Sequence, residues 1–307
     1  QVPNSYLTKP GILRMAVSTP APGGGTSTEA QLEIYGPEPR ILALGNAASY
    51  QGGSVSPGEL ITIFGTGLGP AALCPYDPTF PGGVLPSSLP IGAANQTQVL
   101  FTVSSGGVAH TYPAALVYTM DGQVGAMVPF EVTGPTYTTV SIVVTYGPVA
   151  APLASLPWVV NVVDAVPGIF SADGSGRGQG AILNAVLDAS GTAVDYTVNS
   201  ASTPASLKGG ASVVVLYATG FGVTNPNPAS NSWTPVPTPY NSVLVPTVTI
   251  DGKAPQNVST AVPAYGFPGV LQLNVTLPAD AEAGKSVPVT VDFGNFLGQT
   301  GITVALK

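Results

Sequence analysis

Alternation with a period of two residues dominates the chain. Leu13, Met15 and Val17 alternate with Arg14, Ala16 and Ser18, and Val140, Ile142 and Val144 with Ser141, Val143 and Thr145. Val287, Val289 and Val291 alternate in the same way with Pro288, Thr290 and Asp292. Successive side chains of a strand point to opposite faces, so each run predicts a strand that turns one face to a core. Breakers at Gly106-Gly107, Asp121-Gly122, Gly209-Gly210 and Asp251-Gly252 fall between such runs at the spacing of strands in a sandwich. The one window with a helical reading, Ala181 to Ala189, follows a glycine turn and is read as a strand too. The expected fold class is all-β, with tandem immunoglobulin-like β-sandwich modules.

An internal repeat sets the domain organisation. Asn46-Ala47-Ala48-Ser49, a loop, and then Leu60 to Gly69 recur as Asn199-Ser200-Ala201-Ser202, a loop, and Val213 to Gly222. Further on, Gln123 to Pro129 matches Gln272 to Pro278. Two homologous modules follow, residues 38–166 and 167–307, meeting near Val166-Pro167-Gly168. Each carries a long proline-rich excursion, Gly69 to Pro90 in the first and Gly222 to Pro246 in the second, and loops of that length are commonly functional or disordered. Residues 1–37 stand apart: their short alternating runs around the turn from Pro20 to Ser27 look like the last strands of a sandwich whose first strands are missing.

Composition narrows the function classes. Charged residues make up 7% of the chain, against roughly a quarter in an average soluble domain. With eight Lys and Arg and a net charge of −7, the clustered cations that bind phosphates are lacking, so a nucleic-acid partner is excluded. A mean hydropathy of +0.35 calls for a search for a membrane span. The most apolar stretch, Val140 to Val163, is broken by Pro148, Pro152 and Pro157, short of the roughly 20 apolar residues a spanning helix needs. Cys74 is the single cysteine and is expected to be an idle or buried thiol. The start at Gln1, with no charged or apolar leader, suggests a mature product after signal cleavage, hence an extracellular, cell-surface location.

Several of these pieces resemble a known family. Asn46 to Tyr50, Ser56 to Pro70, Pro167-Gly168-Ile169-Phe170 and Gly178 to Asn184 are similar to the C-terminal module of uncharacterised secreted acidobacterial proteins of the Solibacter type. The likeness covers about residues 40 to 307, and the segment before it resembles part of a bacterial immunoglobulin-like domain. The resemblance implies location and fold, and it brings no catalytic residues.

Candidate chemistry is sparse. Gly65-Thr66-Gly67-Leu68-Gly69 imitates a nucleotide loop, but Pro70 follows where a helix N-terminus would cradle phosphate, so a strand-end turn is expected. Asp173 and the glycines to Gly180 lack the several carboxylates of a calcium site. His110, the lone histidine, sits in a polar hairpin, and no His/Cys cluster has metal-ligand spacing. The reading is therefore a non-enzyme without cofactor or metal. Tyr76, Phe80, Trp233 and Tyr240 on the long loops are candidate glycan-stacking groups, which keeps a surface adhesin as the alternative function. Asn95, Asn257 and Asn274 fit the Asn-x-Ser/Thr pattern, and Thr234 and Thr238 suit O-linked sugar.

The favoured function is structural: a filament subunit that polymerises with copies of itself. Residues 1–37 either pack on the first module of their own chain or, as the filament requires, leave it and add to a sheet edge of the next subunit. In the second case Leu13, Met15, Val17, Leu32 and Ile34 are the expected inserted side chains, and the acceptor is an edge in one of the two modules, such as that near Ile302 and Val304.

Overall fold

The computed structural model describes residues 2–3, 11–34, 36–77, 85–133, 138–188, 190, 193–207, 212–227, 241–261 and 268–307. These residues form strands and turns and no helix, so the protein is all-β. Among the described residues no helix is long and apolar enough to cross a membrane. The chain divides into two units, Gln1–Glu38 and Pro39–Lys307.

The first unit is a two-stranded hairpin. Strands β1 (Gly11–Met15) and β2 (Ala30–Ile34) pair antiparallel with Leu13 opposite Leu32 and Gly11 opposite Ile34. That register, with the period of two, places Leu13, Met15, Leu32 and Ile34 on one face. The connecting turn is closed by the Ser27 hydroxyl, which accepts from the Val17 N–H at 2.9 Å.

The second unit contains both sandwiches. Its first half runs β3 (Arg40–Asn46), β4 (Ser54–Val55), β5 (Leu60–Thr66), β6 (Cys74–Pro75), β7 (Asn95–Ser105), β8 (Val108–Pro113), β9 (Ala115–Met120), β10 (Gln123–Met127), β11 (Thr139–Pro148), β12 (Leu153–Ala154) and β13 (Trp158–Val162). One sheet has the order β3-β5-β10-β9-β6 and the other β4-β13-β11-β7-β8. Taken in chain order, these are strands A-B-E-D facing G-F-C-C′, the immunoglobulin arrangement. Phe101, Ile61, Ile63, Val124 and Ile142 fill the space between the sheets, each contributing about 1.5–3 kcal/mol by burial.

The second half repeats the plan with β14 (Gly168–Ile169), β15 (Gly178–Gln179), β16 (Ile182–Leu187), β17 (Ala193–Val198), β18 (Val213–Thr219), β19 (Thr224–Asn225), β20 (Asn241–Ser242), β21 (Pro246–Ile250), β22 (Asn257–Ala261), β23 (Leu271–Thr276), β24 (Gly284–Phe293) and β25 (Ile302–Leu306). Its sheets are β17-β16-β18-β23-β22 and β15-β25-β24-β21 around Phe221, Phe293, Leu273 and Val289. The repeated runs from Leu60 and Val213 become the matching strands β5 and β18, and those from Gln123 and Gln272 fall in β10 and β23. The halves differ at their edges: the first adds β8 beside β7, while the second adds β17 beside β16.

Candidate functional site

Where the two sandwiches meet, the repeat's asparagine has become a connector. Asn46 Oδ1 accepts from the N–H groups of Ala48 and Ser49 at 2.9 and 3.0 Å, which holds the turn after β3. Its Nδ2 donates to the Val166 carbonyl at 2.8 Å, tying that turn to the segment between the modules. The same Nδ2 donates to Glu59 Oε1 at 3.0 Å, while Glu59 Oε2 accepts from the Ser56 N–H at 2.7 Å and the Ser56 hydroxyl at 3.3 Å. Glu59 is fully buried. Burial pushes its pKa from 4.5 up to about 8, against the pull of those hydrogen bonds, and among the described residues no positively charged side chain acts on it.

Thr219 makes the second polar link, its hydroxyl accepting from the Leu60 N–H at 2.8 Å and donating to the Gly269 carbonyl at 2.7 Å. Around these bonds Leu60, Leu85, Met127 and Phe130 of the first module close an apolar cluster with Val270 of the second, and Phe170 and Tyr217 pack against it. The glycine-rich stretch after Asp173 belongs to the same seam. Tyr50 Oη donates to the Gly174 carbonyl at 2.9 Å. A Cβ at Gly176, whose φ is +76°, would lie 3.1 Å from the carbonyls of Ala48 and Ser49. Its glycines thus let one turn approach another, and Asp173 serves the turn itself: the Ser175 hydroxyl and N–H donate to it and hold its carboxyl below the usual range. Gly220, in the second copy of the Gly-x-Gly pattern, meets the linker, because a Cβ there would stand 1.8 Å from the Val166 carbonyl.

Beside the seam lies an apolar cleft of about 500 Å³. Tyr76, Leu85, Val117, Tyr118 and Met120 line it from the first module and Val270 from the second, with Gln123 as a polar group. Burial raises the Tyr118 phenol above its ordinary value.

Of the loop aromatics, Tyr76 lines this cleft, whereas Phe80, Trp233 and Tyr240 lie outside the described residues, as do Thr234 and Thr238. Asn95 and Asn257 open β7 and β22 and are exposed. Asn274 sits mid-strand in β23, half-buried, with its Oδ1 accepting from Gln272 Nε2 at 2.8 Å. That position leaves a glycan less room than the two strand starts do. His110 is exposed on β8 opposite Val103, and Cys74 is a half-buried free thiol against the first core. Among the described residues no group of three or more His, Cys, Asp and Glu side chains could hold a metal ion.

The assembly residues fall on the hairpin, where Leu13, Met15 and Ile34 are half-buried and Val17 and Leu32 exposed. The acceptor expected near Ile302 and Val304 needs correction. Both side chains are fully buried, and β25 has partners on both sides: β24 on one, and on the other β15 and the Ala205–Leu306 bridge. The sequence reading also missed Glu59, whose one signal is an isolated acid at the head of the apolar run Leu60-Ile61.

No protein-family model matches the chain, and no curated protein matches it in sequence.

Proposed function

We propose that the protein is a non-catalytic, extracellular structural protein, a subunit of a cell-surface filament that polymerises by β-strand addition through its N-terminal segment. The observation that carries this reading is the hairpin. Its two strands form a two-stranded sheet, to which no third strand adds among the described residues, and Ile12, Val17 and Leu32 on it are exposed. A two-stranded sheet is marginal in water and needs a third strand or a packing surface, and the strand edge of another copy supplies one. A head-to-tail contact of this kind propagates into an open fibre unless its rotation closes a ring. The seam suits such a subunit, since it joins the two sandwiches through buried hydrogen bonds and side chains into one transmitting body.

The family resemblance to secreted acidobacterial modules agrees with this location. The adhesin alternative draws less support, because the cleft lined by Tyr76 has an apolar wall and few groups that would meet sugar hydroxyls. Deleting residues 1–37 tests the proposal. The full chain is expected to form concentration-resistant, high-mass fibres by light scattering and electron microscopy, and the shortened chain a monomer. Fibres from the shortened chain, or a monomeric full chain whose N-terminal segment resists protease, would overturn it.

A further inference from the structure

Resting on that reading, we infer that the acceptor for the hairpin is the outer edge of β17, Ala193–Val198, in a second copy of the chain. All six residues of β17 are exposed, and among the described residues no strand pairs beyond it. Edge strands are usually blunted by Lys, Pro, inward charges, bulges or shortness; β17 has neither Lys nor Pro, only Asp195 as a charge, and one bulge, at Val194 against β16. Val194, Tyr196 and Val198 on it are 61, 47 and 65% exposed. The strand has no equivalent in the first module, and none of its residues belongs to the second core.

The other long edges fit less well. Strand β3 has Leu42 as its one large exposed apolar side chain and buries its last three residues; β8 has Val108 as its one large exposed apolar side chain and ends in Pro113; β22 presents Asn257 and Ser259; β21 begins with Pro246. On the donor side, β1 is paired with β2 along one edge, and among the described residues no strand pairs along the other. Laid antiparallel on β17, Leu13 stands opposite Tyr196 on one face and Arg14 opposite Asp195 on the other, and the regular ladder ends at Val194, the extra residue of the bulge against β16. Cross-strand pairs of these kinds add to the backbone bonds. Arg14 is held by Glu29 at 3.3 Å, with both side chains exposed, and exposed pairs of that kind are worth little.

The test mixes two single-cysteine chains, Leu13→Cys and Tyr196→Cys, each in a Cys74→Ser background, under mild oxidation. Assembly with a disulfide-linked pair of unlike chains is the expected result. Assembly without that cross-link overturns the β17 acceptor and leaves the filament reading standing; absence of both assembly and cross-link overturns both. Charge reversal supplies a second readout. Arg14→Asp or Asp195→Arg alone should raise the critical concentration for assembly about tenfold, and the two together should restore it, whereas independent effects of the two changes would count against the register.

Discussion

The seam between the sandwiches and the N-terminal hairpin solve opposite problems with the same kinds of residue. At the seam Asn46 and Thr219 meet donors and acceptors from distant parts of the chain, Glu59 is held by Asn46 and Ser56, and Phe130 and Val270 close over them. On the hairpin, by contrast, Ile12 and Val17 stay in solvent, and the exposed Arg14 and Glu29 pair with each other. The difference teaches that satisfaction, more than composition, separates a finished contact from an open one. The seam's Asn46, Glu59 and Thr219 spend their hydrogen bonds inside the chain, while an unfinished sheet keeps backbone groups for a partner.

The largest expected effect strikes the seam through Glu59. An acid whose pKa rises on folding binds its proton more tightly in the native state. Stability is therefore full below about 4.5, declines as pH climbs, and reaches its floor above about 8. The span is up to about 5 kcal/mol, read as a falling midpoint in denaturant titrations between pH 4.5 and 8. Glu59→Gln should flatten that slope, and a stability that rises with pH over the same range would contradict the buried acid.

A smaller effect separates two threonines that occupy matching places in the repeat. Thr219→Val leaves the Leu60 N–H and the Gly269 carbonyl without their partner and should cost about 1–3 kcal/mol. Thr66→Val, at an exposed strand end, should stay within about 0.5 kcal/mol. Equal losses on thermal unfolding would show that the seam is not the special region the geometry makes it.

The smallest effect on stability belongs to the hairpin. Ile12→Ser with Val17→Ser should leave the unfolding of residues 39–307 within about 0.5 kcal/mol of the parent while weakening assembly measured by sedimentation. A loss of stability with assembly intact would place the hairpin among structural packing elements instead.

Much of the fold was legible in the sequence. Val140, Ile142 and Val144 point into the first core and Val287, Val289 and Val291 into the second, as their alternation required. The repeat aligned β5 with β18 because the paired strands at the centre of both sandwiches need the same run of apolar residues. The seam was not legible, since Asn46 reaches Val166 and Leu60 reaches Thr219 across more than a hundred residues, and nothing local marks the partners. Ile302 and Val304 misled for a related reason: alternation predicts a strand at the end of the chain but cannot say that β15 lies beside it. Likewise Val194, Tyr196 and Val198 alternate as a buried strand would, and only the sheet order reveals an edge.

The buried carboxyl also makes folding of this protein a proton-uptake reaction. Between about pH 4.5 and 8 the unfolded chain has already released the Glu59 proton that the native chain keeps, so each molecule that folds draws up to about one proton from its surroundings. In calorimetry that proton comes from the buffer, and the heat of folding will differ between phosphate and Tris by their heats of ionisation. By the same stoichiometry, mild acidification drives the chain toward its folded form.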